Sequence, residues 1–146
     1  MIAVDTNILV YAHRQDAGFH AAAAGALRTL AEGAHMWALP WPCLHEFFAI
    51  VTHPRIYKPP TPAQAAMTQI ECWLEAPHLV LLSEGHGHWA ELSALLSEGH
   101  IQGPQVHDAR IAALCLAHGV RELWTMDRDF SRFPTLTVRN PLTAAC

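Results

Sequence analysis

The chain has 146 residues, of which 51% are hydrophobic, and its formal net charge is −4. This length is typical of one ordinary domain, and no apolar run is long enough to predict a membrane-spanning helix. The negative charge argues against a protein that holds nucleic acid through a broad basic face, but not against an enzyme that acts on nucleic acid.

Five short β-like runs alternate along the chain with segments of helical length. The runs are residues 2–4, 36–39, 78–82, 123–126 and 136–138. Short strands that alternate with helices are typical of an α/β fold. We therefore predict a central parallel sheet with helices on both faces.

The first run, "MIAVDTNILVYA", is interrupted by Asp5. A buried ionised carboxylate is unfavourable by several kcal/mol or more unless something compensates it, so this position calls for a specific reason. The run also lacks the basic leading region of a signal peptide. We expect a cytoplasmic protein.

Proline residues predict where two of the helices begin and end. In "WPCLHEFFAIVTHP", Pro42 lies near a helix start and Pro54 lies past its end. In the segment that follows, we expect Thr61 to cap a helix whose first residue is Pro62, with Pro77 as the stop.

Two acids directly follow predicted strands. Asp5 comes after the first strand, and Asp127 comes after "ELWTM". Open parallel sheets bind ligands at the carboxyl ends of their strands, so neighbouring strands would bring these carboxylates side by side. For either acid alone, a helix cap or a turn is an equally good interpretation.

Asp108 lies on the stripe of its helix that is predicted to face the core. It shares that stripe with Ile111, Ala112 and Cys115, at spacings of three, four and seven residues. It also lies near the amino end of the helix, where the helix dipole favours negative charge. A simple cap would explain the dipole but not the shared stripe.

The positions of Glu46 and Asp129 are less informative. Glu46 lies roughly opposite the apolar stripe of its helix, so periodicity alone favours a solvated side chain; the stripe consists of Leu44, Phe47, Phe48 and Val51. Asp129 follows Asp127 by two residues, and a turn is slightly favoured over a role beside it.

Several carboxylates held together would repel one another, which raises their pKa values. A hard divalent cation removes this repulsion, and oxygen ligands are those that Mg²⁺ and Mn²⁺ prefer. A metal held at the end of a buried strand would account for Asp5.

Four pieces of the chain together resemble the PIN-domain ribonucleases, and in particular the VapC-type toxins of bacterial toxin–antitoxin pairs. The pieces are "MIAVDTNILVYA", "LHEFF", "VHDARIAALCLAHGV" and "ELWTMDRDFSRFP". Each piece alone is weak, but the four occur in the family's order and at its spacing. The resemblance implies one PIN-like domain, which we place at residues 1–141 with a short tail at 142–146.

The resemblance also implies a set of site residues. The family's acidic set matches Asp5, Glu46, Asp108 and Asp127, which overrules the periodicity argument for Glu46. Asp129 stands where many members carry a further acid. Polar positions that border the family's site match Thr6, Asn7 and Thr125.

The activity implied is that of a Mg²⁺- or Mn²⁺-dependent endoribonuclease acting as a toxin, with a small antitoxin as partner and two copies of the chain associating. Because Lys58 is the only lysine, RNA contacts would rest mainly on arginines. The arginines nearest the acids are Arg110, Arg128 and Arg132.

The sequence gives less support to three other functions. His86 and His88 in "GHGHW" suggest zinc, but no second pair follows at a zinc-like spacing. Asn7 stands where a haloacid-dehalogenase-type phosphatase needs a second acid. A PIN-like domain that only binds RNA or acts as a scaffold remains the alternative, although such a relative would be expected to lose one of the four acids.

Overall fold

The computed structural model describes residues 1–143, so the predicted tail at 142–146 lies partly outside the described residues. Five strands form one sheet in which all neighbours are parallel, in the order β3-β2-β1-β4-β5. The strands are β1 Ile2–Val4, β2 Trp37–Pro40, β3 Leu79–Leu82, β4 Glu122–Trp124 and β5 Thr137–Arg139. The predicted α/β architecture is confirmed.

The α-helices are α1 Thr6–His13, α2 His20–Glu32, α3 Trp41–Val51, α4 Ala63–Leu74, α5 His88–Glu98 and α6 Val106–Ala117. Because crossovers between parallel strands are right-handed, the helices before β3 cover one face and α5 and α6 cover the other. Short 3₁₀ helices occupy Gly103–Gln105 and Arg128–Arg132. Among residues 1–143, no helix is long and apolar enough to cross a membrane.

The core lies on both sides of the sheet. All four residues of β2 are buried, as a central strand of a parallel sheet requires. On α3 the predicted stripe is buried at three positions, whereas Phe48 is only partly covered. One narrow face of α3 therefore packs in the core, and the other side chains in the first half of the helix are available for a site.

The predicted start of α4 is wrong by one residue. The helix begins at Ala63, and Pro62 is its N-cap rather than its first residue. Thr61 does not cap the helix because its hydroxyl contacts the side chains of His13 and Arg14. Its backbone N–H donates to the carbonyl of Val51, so tertiary contacts account for this buried threonine.

Candidate active site

Five carboxylates lie at the carboxyl edge of the sheet. Asp5 directly follows β1 and is the N-cap of α1, while Asp127 caps the 3₁₀ helix after β4 and Asp129 lies in its first turn. Asp108 lies in the first turn of α6, and α3 carries Glu46. Since β1 and β4 are neighbours, the topology brings the two strand-end acids together, as their positions in the sequence predicted.

Asp5 is the most buried of these acids, with 5% of its surface exposed. Its Oδ1 accepts from the backbone N–H of Thr6 at 2.8 Å and from the thiol of Cys43 at 3.6 Å. Its Oδ2 accepts from the hydroxyl of Thr125 at 2.7 Å. Burial raises the pKa of Asp5, and the hydrogen bonds from Thr125 and Thr6 partly oppose that rise. The carboxylate is therefore held in one orientation.

Thr125 joins the ends of β1 and β4. Its hydroxyl donates to Asp5 and accepts from the side-chain amide of Asn7 at 3.3 Å and from the backbone N–H of Asp127 at 3.0 Å. A hydroxyl has one donor and two acceptor positions, so all three hydrogen-bonding positions of the Thr125 hydroxyl are used. The Asn7 Oδ1 in turn accepts from the backbone N–H of Met126 at 3.3 Å. These bonds fix the spacing between two acids 122 residues apart in sequence.

Glu46 is exposed, yet it is joined to the site. Its Oε2 accepts from the hydroxyl of Thr6 at 2.7 Å, and Thr6 also donates its backbone N–H to Asp5. The exposure of Glu46 agrees with the periodicity of its helix, whereas its contact with Thr6 joins residues 40 positions apart in sequence. Its charge also contributes to raising the pKa of Asp5, which indicates that the two carboxylates are close enough to interact.

The remaining three acids form a compact group. Carboxylate oxygens of Asp108, Asp127 and Asp129 all lie within 4.8 Å of one another. The pKa of Asp108 is raised to about 6, first by burial and then by the negative charges of Asp127, Asp5, Asp129 and Glu46. All five acids therefore share one electrostatic environment.

Asp129 makes both contacts that its sequence position suggested. Its backbone N–H donates to Oδ1 of Asp127 at 2.8 Å, a hydrogen bond typical of a turn. Its side chain also lies close to those of Asp108 and Asp127. The 3₁₀ turn after β4 produces this arrangement, and no periodicity in the sequence signals it.

The comparisons with known proteins agree with this geometry. The family model described as "PIN domain" matches residues 2–136. The chain belongs to the PIN-domain family. It is 37% identical over 142 residues to "VapC ribonuclease Mb2897" of Mycobacterium bovis, covering 97% of this chain and 96% of that protein. "Ribonuclease VapC48" of Mycobacterium tuberculosis is 29% identical over 95% of this chain and 96% of its own length.

Solved structures show the same PIN-domain fold. The chain superposes with a TM-score of 0.70 on a VapBC2 structure from Rickettsia felis, at 22% identity and covering 96% of this chain and 98% of that one. VapC20 of Mycobacterium tuberculosis, described as a "Sarcin-Ricin loop cleaving toxin", superposes with a TM-score of 0.67 at 16% identity, covering 90% of this chain and 93% of that one. The family assigned from the sequence motifs is confirmed.

The five acids of the site have no ion-pair partner within residues 1–143. The ion pairs there join Arg14 to Asp16, and both Arg110 and His88 to Glu84. Arg128 is exposed beside the site, and so is Arg132. The negative charge at the sheet edge is thus not balanced by the described part of the chain.

The donor set of the site fits a hard divalent cation. In the described part of the chain, the aspartate trio is the one group of three or more potential ligand side chains whose donor atoms converge. Oxygen donors of this kind suit Mg²⁺ or Mn²⁺ rather than zinc. The zinc interpretation of His86 and His88 gains no support, since neither belongs to such a group.

Proposed function

We propose that this PIN domain is a metal-dependent endoribonuclease that acts as the toxin of a toxin–antitoxin pair. One observation carries the proposal: five carboxylates share one sheet edge, where burial and then the charges of the other four raise the pKa of Asp108 to about 6, and none of the five is in an ion pair within residues 1–143. Relatives named VapC ribonuclease, similar over nearly their whole length, support the choice of RNA as substrate.

The proposed metal ligands are Asp5, Glu46, Asp108 and Asp127. Carboxylate oxygens of Asp129 lie within 4.8 Å of those of Asp108 and Asp127, so Asp129 is positioned to join these two, whereas Asp5 and Glu46 lie outside that group of three. A bound Mg²⁺ or Mn²⁺ would lower the pKa of a water molecule and stabilise charge on the phosphate. The buried bonds to Asp5 keep its carboxylate in place, so the site needs little rearrangement to accept a cation.

Glu46 has a distinct part in the proposed reaction. Its Oε2 is occupied by Thr6, while its Oε1 accepts no hydrogen bond from the described residues. We assign Oε1 as the acceptor for the proton of the attacking water, because Glu46 is exposed and this oxygen accepts no hydrogen bond from the described residues. In-line attack by water leaves a 5′-phosphate and a 3′-hydroxyl, and the ribose 2′-hydroxyl takes no part.

Three arginines are proposed to hold the RNA backbone. Arg128 and Arg132 are the first and last residues of the 3₁₀ helix that Asp127 caps, and Arg110 lies one turn after the start of α6. Their contacts would be to phosphates, so they should contribute to affinity for all sequences alike.

The proposed partner is a small antitoxin. The relatives named VapC and the solved VapBC and FitAB assemblies support this choice. An amphipathic helix seated in an apolar groove is a physically suitable mode of binding, and a basic side chain of the partner would compensate the acidic site. We also propose that two copies of the chain associate and that the toxin acts in the cytoplasm.

The deciding experiment measures RNA cleavage by the purified protein with Mg²⁺, with Mn²⁺ and with EDTA. We expect cleavage with either metal, none with EDTA, and none for Asp5→Asn or Asp108→Asn. Asp16→Asn is the matched control, because Asp16 is exposed and paired with Arg14 away from the site. Products that end in a 2′,3′-cyclic phosphate would contradict the mechanism, and undiminished cleavage by Asp108→Asn would contradict the site.

The toxin assignment needs its own test. Expression of the chain alone should inhibit growth, and co-expression of the short reading frame beside its gene should relieve the inhibition and yield a co-purifying complex. A chain that is harmless with all its acids intact would refute the toxin assignment. An RNA-binding or scaffolding domain would instead bind RNA without metal-dependent cleavage.

A further inference from the structure

A small cavity adjoins the acidic edge, between α3 and α6. Its volume is about 240 Å³. Each helix contributes three residues at spacings of three and four, which is one stripe of a helix surface. The lining residues are Pro42, His45, Glu46, His107, Arg110 and Ile111. We call this cavity the His45–His107 cleft.

The cleft has an apolar floor and a rim of flat, polar side chains. Pro42 and Ile111 are buried, whereas His45 and His107 are exposed. The ring of Trp41 lies 6.1 Å from that of His45, tilted by 32°, so it flanks the histidine on the same helix. Two imidazole rings beside an apolar floor provide planar surfaces.

Arg110 is held in place at the rim. Its Nε donates to Oε1 of Glu84 at 2.6 Å. This bond restrains the guanidinium group, and its terminal nitrogens donate to no acceptor within residues 1–143. The cleft therefore presents an oriented cationic plane beside the two rings.

Glu46 connects the cleft to the acidic site. It lines the cleft, and it also accepts the hydrogen bond from Thr6, which in turn donates to Asp5. An RNA strand whose phosphate lies at the carboxylates would place its next nucleotide at the cleft. Unpaired bases are commonly bound by stacking on histidine rings and arginine planes.

We infer that the His45–His107 cleft is the subsite for the unpaired base adjacent to the scissile phosphate. This inference rests on the proposed function. The base stacks on the imidazole rings, and Arg110 faces its edge or the adjoining phosphate. The two histidines thus act in binding and not as acids or bases.

The first test measures binding without cleavage. The affinity of a fluorescent single-stranded hexanucleotide RNA is determined by anisotropy in the Asp5→Asn background, in which no cleavage is expected. Adding His45→Ala or His107→Ala should weaken binding about fivefold or more, the usual cost of losing one stacked base. His107→Phe should keep most of the affinity, because a ring remains.

The matched control is His35→Ala. His35 is also exposed, but it lies just before β2, at the opposite edge of the sheet. If the cleft variants bind as tightly as this control does, or if His107→Phe is as weak as His107→Ala, stacking in the cleft is refuted.

The second test maps cleavage positions in a pool of random RNA sequences. The unmodified protein should show a base preference at one position next to the cleaved bond. His107→Ala should reduce or remove that preference. Normal cleavage with unchanged preference and unchanged affinity would overturn the subsite and leave the nuclease proposal standing. Loss of affinity in the cleft variants of a protein that cuts no RNA would support the cleft and refute the nuclease proposal.

Discussion

Replacing Asp108 with asparagine should stabilise the metal-free protein while it removes activity. The rise in the pKa of Asp108 from 3.8 to about 6 corresponds to about 3 kcal/mol against the charged form in the folded state. Asp108 is only half-buried, so solvent screening reduces this figure, and the lost attraction to the amino end of α6 reduces it further. We expect a net gain of roughly 1 kcal/mol at pH 7, which is a rise in Tm of about 2–4 °C.

The gain should depend on pH in one direction. A carboxyl group whose pKa is raised by folding favours the folded state below its unfolded value of 3.8 and loses that contribution as the pH rises through about 6. The Tm difference between Asp108→Asn and the unmodified protein should therefore be full at pH 7 and vanish near pH 4.

Thermal unfolding in EDTA, followed by circular dichroism between pH 4 and 8, measures this difference. Asp16→Asn is the control, because its pKa shift has the opposite sign: Arg14 lowers the pKa of Asp16. Loss of the Asp16 carboxylate should therefore not stabilise the protein at any pH in this range. An Asp108→Asn Tm equal to that of the unmodified protein at pH 7, or an equal gain at pH 4 and pH 7, would refute the electrostatic reasoning.

Three further predictions concern the same edge. Thr125→Val should lower the free energy of unfolding, measured with denaturant, by about 2–4 kcal/mol, because it leaves three buried or half-buried partners without a hydrogen bond. Thr125→Ser keeps the hydroxyl and should match the unmodified protein. Equal losses in the two variants would contradict the role of the Thr125 hydroxyl. Asp129→Asn should reduce kcat less than Asp127→Asn does in RNA cleavage, and the reverse order would exchange their roles. Saturating Mg²⁺ should raise the Tm of the unmodified protein by several degrees and that of Asp108→Asn by less; equal rises would mean that Asp108 does not bind the ion.

The sheet and its acidic edge could be predicted because the determining patterns are local. Asp5 directly follows β1 and so lies at the carboxyl edge, while Asp127 lies at the same edge although β4 ends at Trp124, two residues earlier than the sequence predicted. Asp108 was found by helix periodicity, which ties each side chain to a face. Each inference used fewer than a dozen neighbouring residues.

The parts that could not be predicted depend on contacts distant in sequence. Glu46 is bonded to Thr6 across 40 residues, and Thr125 to Asp5 across 120. No local pattern records such a pair. The family resemblance brought Glu46 into the expected set, and the structure adds the hydrogen bond that orients it.

Two aspartates of this chain show why the acidic edge must be completed from outside. Asp16 has Arg14 at 2.6 Å, and its pKa is lowered; burial and then the charges of the other acids raise the pKa of Asp108 to about 6. The arginine nearest that edge on α6, Arg110, is instead bonded to Glu84. Within residues 1–143, the sequence thus supplies a partner to a surface aspartate and none to the clustered ones. A site left in this state attracts any cation that fits it, so a divalent metal and a basic side chain of a protein partner would compete for the same carboxylates. The repulsion between these carboxylates lowers the stability of the free chain. The same repulsion would allow a metal to activate the protein and a basic side chain to inhibit it at this one site.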